Sequence, residues 1–125
     1  MLNKILLLGR LVADPELRYT ANGKAVAQFT LAVDRPFTSQ DGKKEADFIP
    51  VILWGKTAEA AANYSFKGQR LLVEGRLQIR SYEAKDGTKR WVTEVIGNSI
   101  EFIEKKENSG FDAMGTQVLD EELPF

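Results

Sequence analysis

Before Glu107, apolar and polar residues alternate with a period of two along most of the chain. In "VAQFTLAVD", Val26 to Asp34, the side chains of Phe29, Leu31 and Val33 fall on one side, which predicts a strand with a core face and no functional part for those three. Comparable runs predict strands from Ile5 to Ala13, Asp47 to Trp54, Arg70 to Tyr82 and Arg90 to Phe102. Asn22-Gly23, Asp41-Gly42 and Asp86-Gly87 lie between such runs. Asn or Asp followed by Gly accepts the positive φ that tight hairpins require, so the strands pair as antiparallel neighbours. A helical stretch interrupts them at "TAEAAANYSF", Thr57 to Phe66: Thr57 is placed to cap the first turn, the alanines favour helix, and Gly68 stops it. After Glu107 the segment "NSGFDAMGTQ" has no period and reads as a flexible linker. The prediction is an all-β body with one short helix over residues 1–107, a linker over 108–119, and a distinct tip over 120–125.

Two strands carry unusual second faces. In "FIPVILW", Ile49, Val51 and Leu53 fall on one side and Phe48, Pro50, Ile52 and Trp54 on the other, so both sides are apolar. A strand covered on both sides explains that pattern equally well. In "LLVEGRLQIRSY", Leu71, Val73, Leu77 and Ile79 are expected in the core, opposite Glu74, Arg76, Gln78, Arg80 and Tyr82. If the two second faces adjoin, Phe48 and Trp54 stand among Arg76, Arg80 and Tyr82, a stacking platform in a basic groove. The loop "DRPFTSQDGKKEADF" adds Arg35, Phe37, Lys43 and Lys44, and "YEAKDGTKRW" adds Arg90 and Trp91. For each cation a solvated surface role competes, and Trp91, grouped with Thr93 and Val95, reads equally as core or subunit packing. Aromatic rings interleaved with Arg and Lys suit single-stranded nucleic acid, because unpaired bases expose π faces and cations follow phosphates without reading sequence.

Composition removes several classes of chemistry. The 125 residues hold no Cys and no His, which rules out disulfides, thiol nucleophiles, Ser-His-Asp relays and zinc sites built on imidazole or thiolate. Hard-cation sites made of carboxylates remain possible on composition, but no cofactor or metal is expected. "NKILLLGR" is far too short an apolar stretch for a secretory leader or a membrane span, so a cytoplasmic location is expected. The formal net charge of −1 conceals an asymmetry. Residues 108–125 contain four of the 18 acids and no base, which leaves the preceding part at +3 and the end at −4.

An enzymatic reading rests on "WGKT", Trp54 to Thr57, which follows a strand and opens a helix as the end of a phosphate-binding loop does. That motif needs Gly at position 50, where this chain has Pro50, and the intervening residues form an apolar strand. Catalysis is therefore not expected. A protein-interaction module without nucleic acid, or an RNA-binding protein, remains the alternative.

The stretches "NKILLLGRLVADPELRYTANGKAVAQFTLAV", "ADFIPVILWGKTAEAAANY", "KGQRLLVEGRLQIRSYEAKDGTKRWVTEV" and the terminal "DEELPF" together resemble the bacterial-type single-stranded DNA-binding proteins. The resemblance implies an OB fold, a five-stranded antiparallel Greek-key barrel with one helix and a disordered C-terminal tail, assembled as a homotetramer. It implies sequence-independent binding and protection of single-stranded DNA in replication, recombination and repair. Matched position by position, Phe37, Phe48, Trp54 and Tyr82 are the expected base-stacking residues, with Trp91 added from the hairpin. Arg35, Lys43, Lys44, Lys56, Arg76, Arg80 and Arg90 are the expected phosphate contacts. Well-known members carry Trp where this chain has Phe37, Phe48 and Tyr82, and Phe where it has Trp54. The tip Asp120, Glu121, Glu122, Leu123, Pro124 and Phe125 is expected to dock into DNA-processing partners, Phe125 filling a pocket while the acids meet basic residues.

Overall fold

The Asn-Gly and Asp-Gly steps turn the chain as the sequence predicts, with Gly23, Gly42 and Gly87 at φ of +85, +82 and +86°. At the last of these, the Gly87 N–H donates to the Ala84 carbonyl at 2.9 Å, and the Thr88 N–H and hydroxyl both donate to Asp86 Oδ1, at 3.0 and 2.7 Å. The acid thus closes its own turn. This computed structural model describes residues 1–38 and 40–103, so the expected linker (108–119) and tip (120–125) lie outside the described residues.

Among the described residues the elements run β1 (Ile5–Leu11), β2 (Glu16–Tyr19), β3 (Ala25–Thr38), β4 (Lys44–Trp54), α1 (Gly55–Tyr64), β5 (Arg70–Glu83) and β6 (Lys89–Phe102). The sheet order is β1-β5-β6-β4-β3-β2, and Arg10 and Leu11 of β1 also pair with Ala32 and Leu31 of β3. That last pairing closes five strands into a barrel, with β2 paired antiparallel to the first residues of β3. The fold is therefore a closed five-stranded β-barrel with one helix, consistent with an OB fold. The pairings are antiparallel except between β4 and β6, which run parallel from Val51↔Val95 to Leu53↔Gly97.

The alternating faces converge inside. Leu31, Val51, Leu53, Leu71, Val73 and Val95 are fully buried, and α1 adds Ala58 and Ala61 to the same cluster. Phe29 is buried and Val33 packs against the cluster, as predicted. Gly75 and Gly97 pair where β5 crosses β6, and a Cβ at Gly75 would run into the Ile96 carbonyl, so only glycine lets the strands approach there.

Several expectations need correction. Leu77 and Ile79 do not enter the core: they are 39 % and 61 % exposed. Their strand keeps its alternation but, with β6, continues past the end of the barrel as a two-stranded arm, so among the described residues no core packs beneath its inward side. The helix starts at Gly55, not Thr57, because Gly55 at φ +65° turns the chain straight out of β4; Trp54 occupies the cap position and no side chain caps the first turn. The helix ends at Tyr64, where the Ser65 N–H still reaches the Ala61 carbonyl at 2.9 Å. The first strand ends at Leu11, and Pro15 separates it from β2, which the sequence pattern did not single out.

Candidate nucleic-acid interface

Register determines which residues share the outer surface. On β4 the inward residues are Val51 and Leu53, so Phe48, Pro50, Ile52 and Trp54 point out, and Lys44 alternates onto the same side. Ile52 pairs with Ile96, which pairs in turn with Arg76. The second faces of β4 and β5 are thus not direct neighbours. They form one surface with β6 between them, and the outward residues Val92, Glu94 and Ile96 fill the interval.

Across that surface the large rings stand in the open. Phe48 is 65 % exposed on β4, and Trp54 at the start of α1 and Tyr82 on β5 are each 45 % exposed. Burying such rings against solvent would favour folding, so three on one face are available to a ligand with flat apolar surfaces. Phe37 is also exposed, in the stretch between Asp34 and Thr38 where β3 bulges against β4. Trp91 lies elsewhere. It pairs with Ser81, on the side of the arm opposite Tyr82, and shares that side with Leu77 and Ile79. Lys89 sits over its ring at 5.6 Å from the centroid.

The expected phosphate contacts divide into those already paired within the chain and those open to solvent. Arg35 Nη1 bonds Glu45 Oε1 at 2.8 Å, and its Nη2 and Nε bond Asp47 Oδ1 at 2.9 and 3.2 Å. The Arg35 hydrogen bond holds Asp47 below the usual carboxylate pKa. Two acids around one guanidinium leave that corner of the β3–β4 hairpin with no surplus positive charge. Arg90 reaches Asp86 Oδ2 at 3.4 Å, and its Nε reaches the Thr88 hydroxyl at 3.4 Å. Lys44 and Lys56 are exposed and form no ion pair among the described residues. Lys43 is exposed in the same hairpin, its backbone N–H on Asp41 Oδ1. Arg76 donates to Gln78 Oε1 at 3.3 Å.

Arg80 belongs to a group that sequence reasoning missed. Glu94 points outward from β6 yet is only 2 % exposed, and its Oε2 accepts from Arg80 Nε at 2.8 Å and from Gln78 Nε2 at 2.9 Å. Burial alone would push the Glu94 carboxyl up; the hydrogen bonds from Arg80 and Gln78 and the Arg80 charge hold it below its ordinary value instead. An acid alternating with Val92 and Ile96 was the available signal, but a Glu in a strand ordinarily reads as solvated.

A second apolar feature lies on β1. From Ile5 to Gly9 it pairs with β5 on one side and has no strand on the other among the described residues. Leu6 and Leu8 project from it with exposures of 61 % and 51 %. Asn3 extends that pairing by side chain: its Nδ2 donates to the Leu77 carbonyl at 2.8 Å and its Oδ1 accepts from the Leu77 N–H at 2.9 Å. Among the described residues no group of acids has the arrangement of a metal site, and no helix is long and apolar enough to cross a membrane.

Comparison with known proteins gives the chain its relatives. The profile of the single-strand binding protein family matches residues 2–103. A Clostridium tetani protein named single-stranded DNA-binding protein is 56% identical over 112 residues, covering 87% of this chain and 77% of its own length. Single-stranded DNA-binding protein 2 of Clostridium acetobutylicum is 53% identical and aligns over 99% of this chain and all of its own length. A single-stranded DNA-binding protein of Bacillus cereus is 53% identical over 88% of this chain.

Proposed function

The chain belongs to the single-strand binding protein family, and from that premise we propose that it binds single-stranded DNA without reading its sequence, shielding exposed strands during replication, recombination and repair. The observation that carries the reading is the outer face of β4, β6 and β5, where Phe48, Trp54 and Tyr82 stand exposed beside cations. A single strand laid across it stacks successive bases on those rings, while Lys44, Lys56 and Arg76 neutralise phosphates and Phe37 and Lys43 extend the path along the hairpin. Arg80 and Arg90 approach the same strand as donors; Arg35 contributes through the shape of its hairpin. Duplex DNA, whose base faces are covered, gains only the charge term. The task is binding, with no bond made or broken.

The test is Trp54→Ala. Each base–aromatic stack contributes about 1–3 kcal/mol, so affinity for oligothymidylate should fall by roughly 5- to 150-fold while the melting temperature stays near that of the parent. A folded variant with unchanged affinity rejects the face.

Two further parts of the proposal concern partners. The free edge of β1 with Leu6 and Leu8, and the underside of the arm with Leu77, Ile79 and Trp91, support self-assembly, for which a homotetramer is our reading. Recruitment of DNA-processing proteins falls to Asp120, Glu121, Glu122, Leu123, Pro124 and Phe125, on the strength of their composition: three acids next to an apolar end that Pro124 stiffens. Deleting these six residues should abolish capture of DNA-processing proteins and leave DNA affinity equal or higher. A truncated protein that still captures them contradicts the assignment. A cytoplasmic, nucleoid-associated location is part of the same proposal, since a protein that shields chromosomal single strands acts where the DNA lies.

A further inference from the structure

Within the functional reading just given, on which this inference rests, we propose that Glu94 is a positioning residue: its buried carboxylate holds the Arg80 guanidinium in one orientation on the single-strand interface, so that Arg80 meets DNA as a fixed donor.

The register builds the arrangement. Gln78 lies directly across from Glu94, while Arg76 pairs with Ile96 and Arg80 with Val92, the two positions that flank Glu94 on its own face. Both arginines are therefore diagonal neighbours of one acid, within reach of long side chains. Arg80 takes the contact through Nε at 2.8 Å and weakly through Nη2 at 3.5 Å, so Nη1 is left without a bond among the described residues. Gln78 fixes the other side: its Nε2 donates to Glu94, which turns its Oε1 towards Arg76 Nη1 at 3.3 Å. One buried acid thus orders three side chains on the surface between the β4 rings and Tyr82.

A buried carboxylate is a poor device for stability alone, since an apolar residue of similar volume often serves the fold as well or better. It is also a poor neighbour for phosphate unless its charge is already spent. Here it is spent on Arg80, and the pair has no net charge to offer the polyanion. What remains is geometry: a guanidinium held at Nε keeps its Nη edge available in one orientation and loses less rotamer freedom when a phosphate or base oxygen arrives. Arg35 differs because Glu45 and Asp47 together engage its Nε, Nη1 and Nη2.

The experiment compares Glu94→Gln, Arg80→Lys and the double variant for oligothymidylate affinity at two salt concentrations, with melting temperatures alongside. Arg80→Lys keeps the charge and removes the Nε fork; Glu94→Gln keeps the shape and removes the charge that orients it. Positioning predicts that each single variant weakens binding by about tenfold, and that the double variant is no weaker than the worse single, because both remove one shared interaction. Glu94→Asp should recover part of the loss. If Glu94 merely neutralises Arg80, Glu94→Gln binds as tightly as the parent or tighter and Arg80→Lys changes nothing, which overturns the proposal. Additive losses overturn it as well. Should Glu94→Gln fail to fold, Arg80→Lys decides alone: parental affinity rejects the proposal and a tenfold loss supports it. A parent protein that does not bind oligothymidylate at all refutes the functional reading itself, a result distinct from any pattern among the variants.

Discussion

At the scale of single residues, a cation's place in the sequence says less than its partners do. Arg35 and Lys44 both lie in or beside the same long hairpin and read alike as phosphate contacts. Arg35 is enclosed by Glu45 and Asp47, whereas Lys44 shares the outward side of β4 with Phe48. Counterion release on single-stranded DNA contributes a slope of about −0.7 per neutralised phosphate. Lys44→Ala should therefore lower the magnitude of the salt slope by about that amount, and Arg35→Ala should leave it nearly unchanged; equal losses would mean that the hairpin's ion pairs open on binding. Alternation put Phe48, Trp54 and Tyr82 opposite the inward side of their strands but left open whether anything covered them; the structure shows them exposed. Glu94 was not legible. Its burial depends on Gln78 and Arg80 lying across it, 16 and 14 residues away along the chain, a pairing between two strands that no single-strand pattern records.

At the scale of elements, turns and inward faces follow from local chemistry, while strand ends do not. The three Gly turns and the inward rows of β3 and β4 lie where their residues predict. Leu77 and Ile79 carry the same alternation as Leu71 and Val73, yet the barrel ends before it reaches them. Periodicity tells which side a residue faces but not whether anything lies there. The edge of β1 that no described strand covers and the arm's apolar underside are elements whose cover is a second copy on our reading. A charge at the centre of the β1 face should break that assembly at the cost of burying it against apolar surface. Leu6→Glu is expected to shift the protein from an oligomer towards monomer in sedimentation velocity while keeping its β-type circular dichroism; an unchanged sedimentation coefficient would show that β1 is not the contact.

At the scale of the whole molecule, the distribution of charge matters more than its sum. Residues 1–107, at +3, and the anionic last 18 residues separate the part proposed to bind DNA from the part proposed to bind protein. Barrel closure, by contrast, was reached from resemblance and not from spacing, since the parallel pairing of β4 with β6 and the meeting of β1 with β3 join distant segments. That closure brings the β4 and β5 second faces into one surface. The central claim is that this surface stacks unpaired bases, and tryptophan fluorescence reads it directly through Trp54. Titration with oligothymidylate, set beside a duplex of equal length at the same salt, should give strong saturable quenching with the single strand and much weaker binding with the duplex. Equal affinity for the two would contradict the account, as would a single strand that binds without quenching.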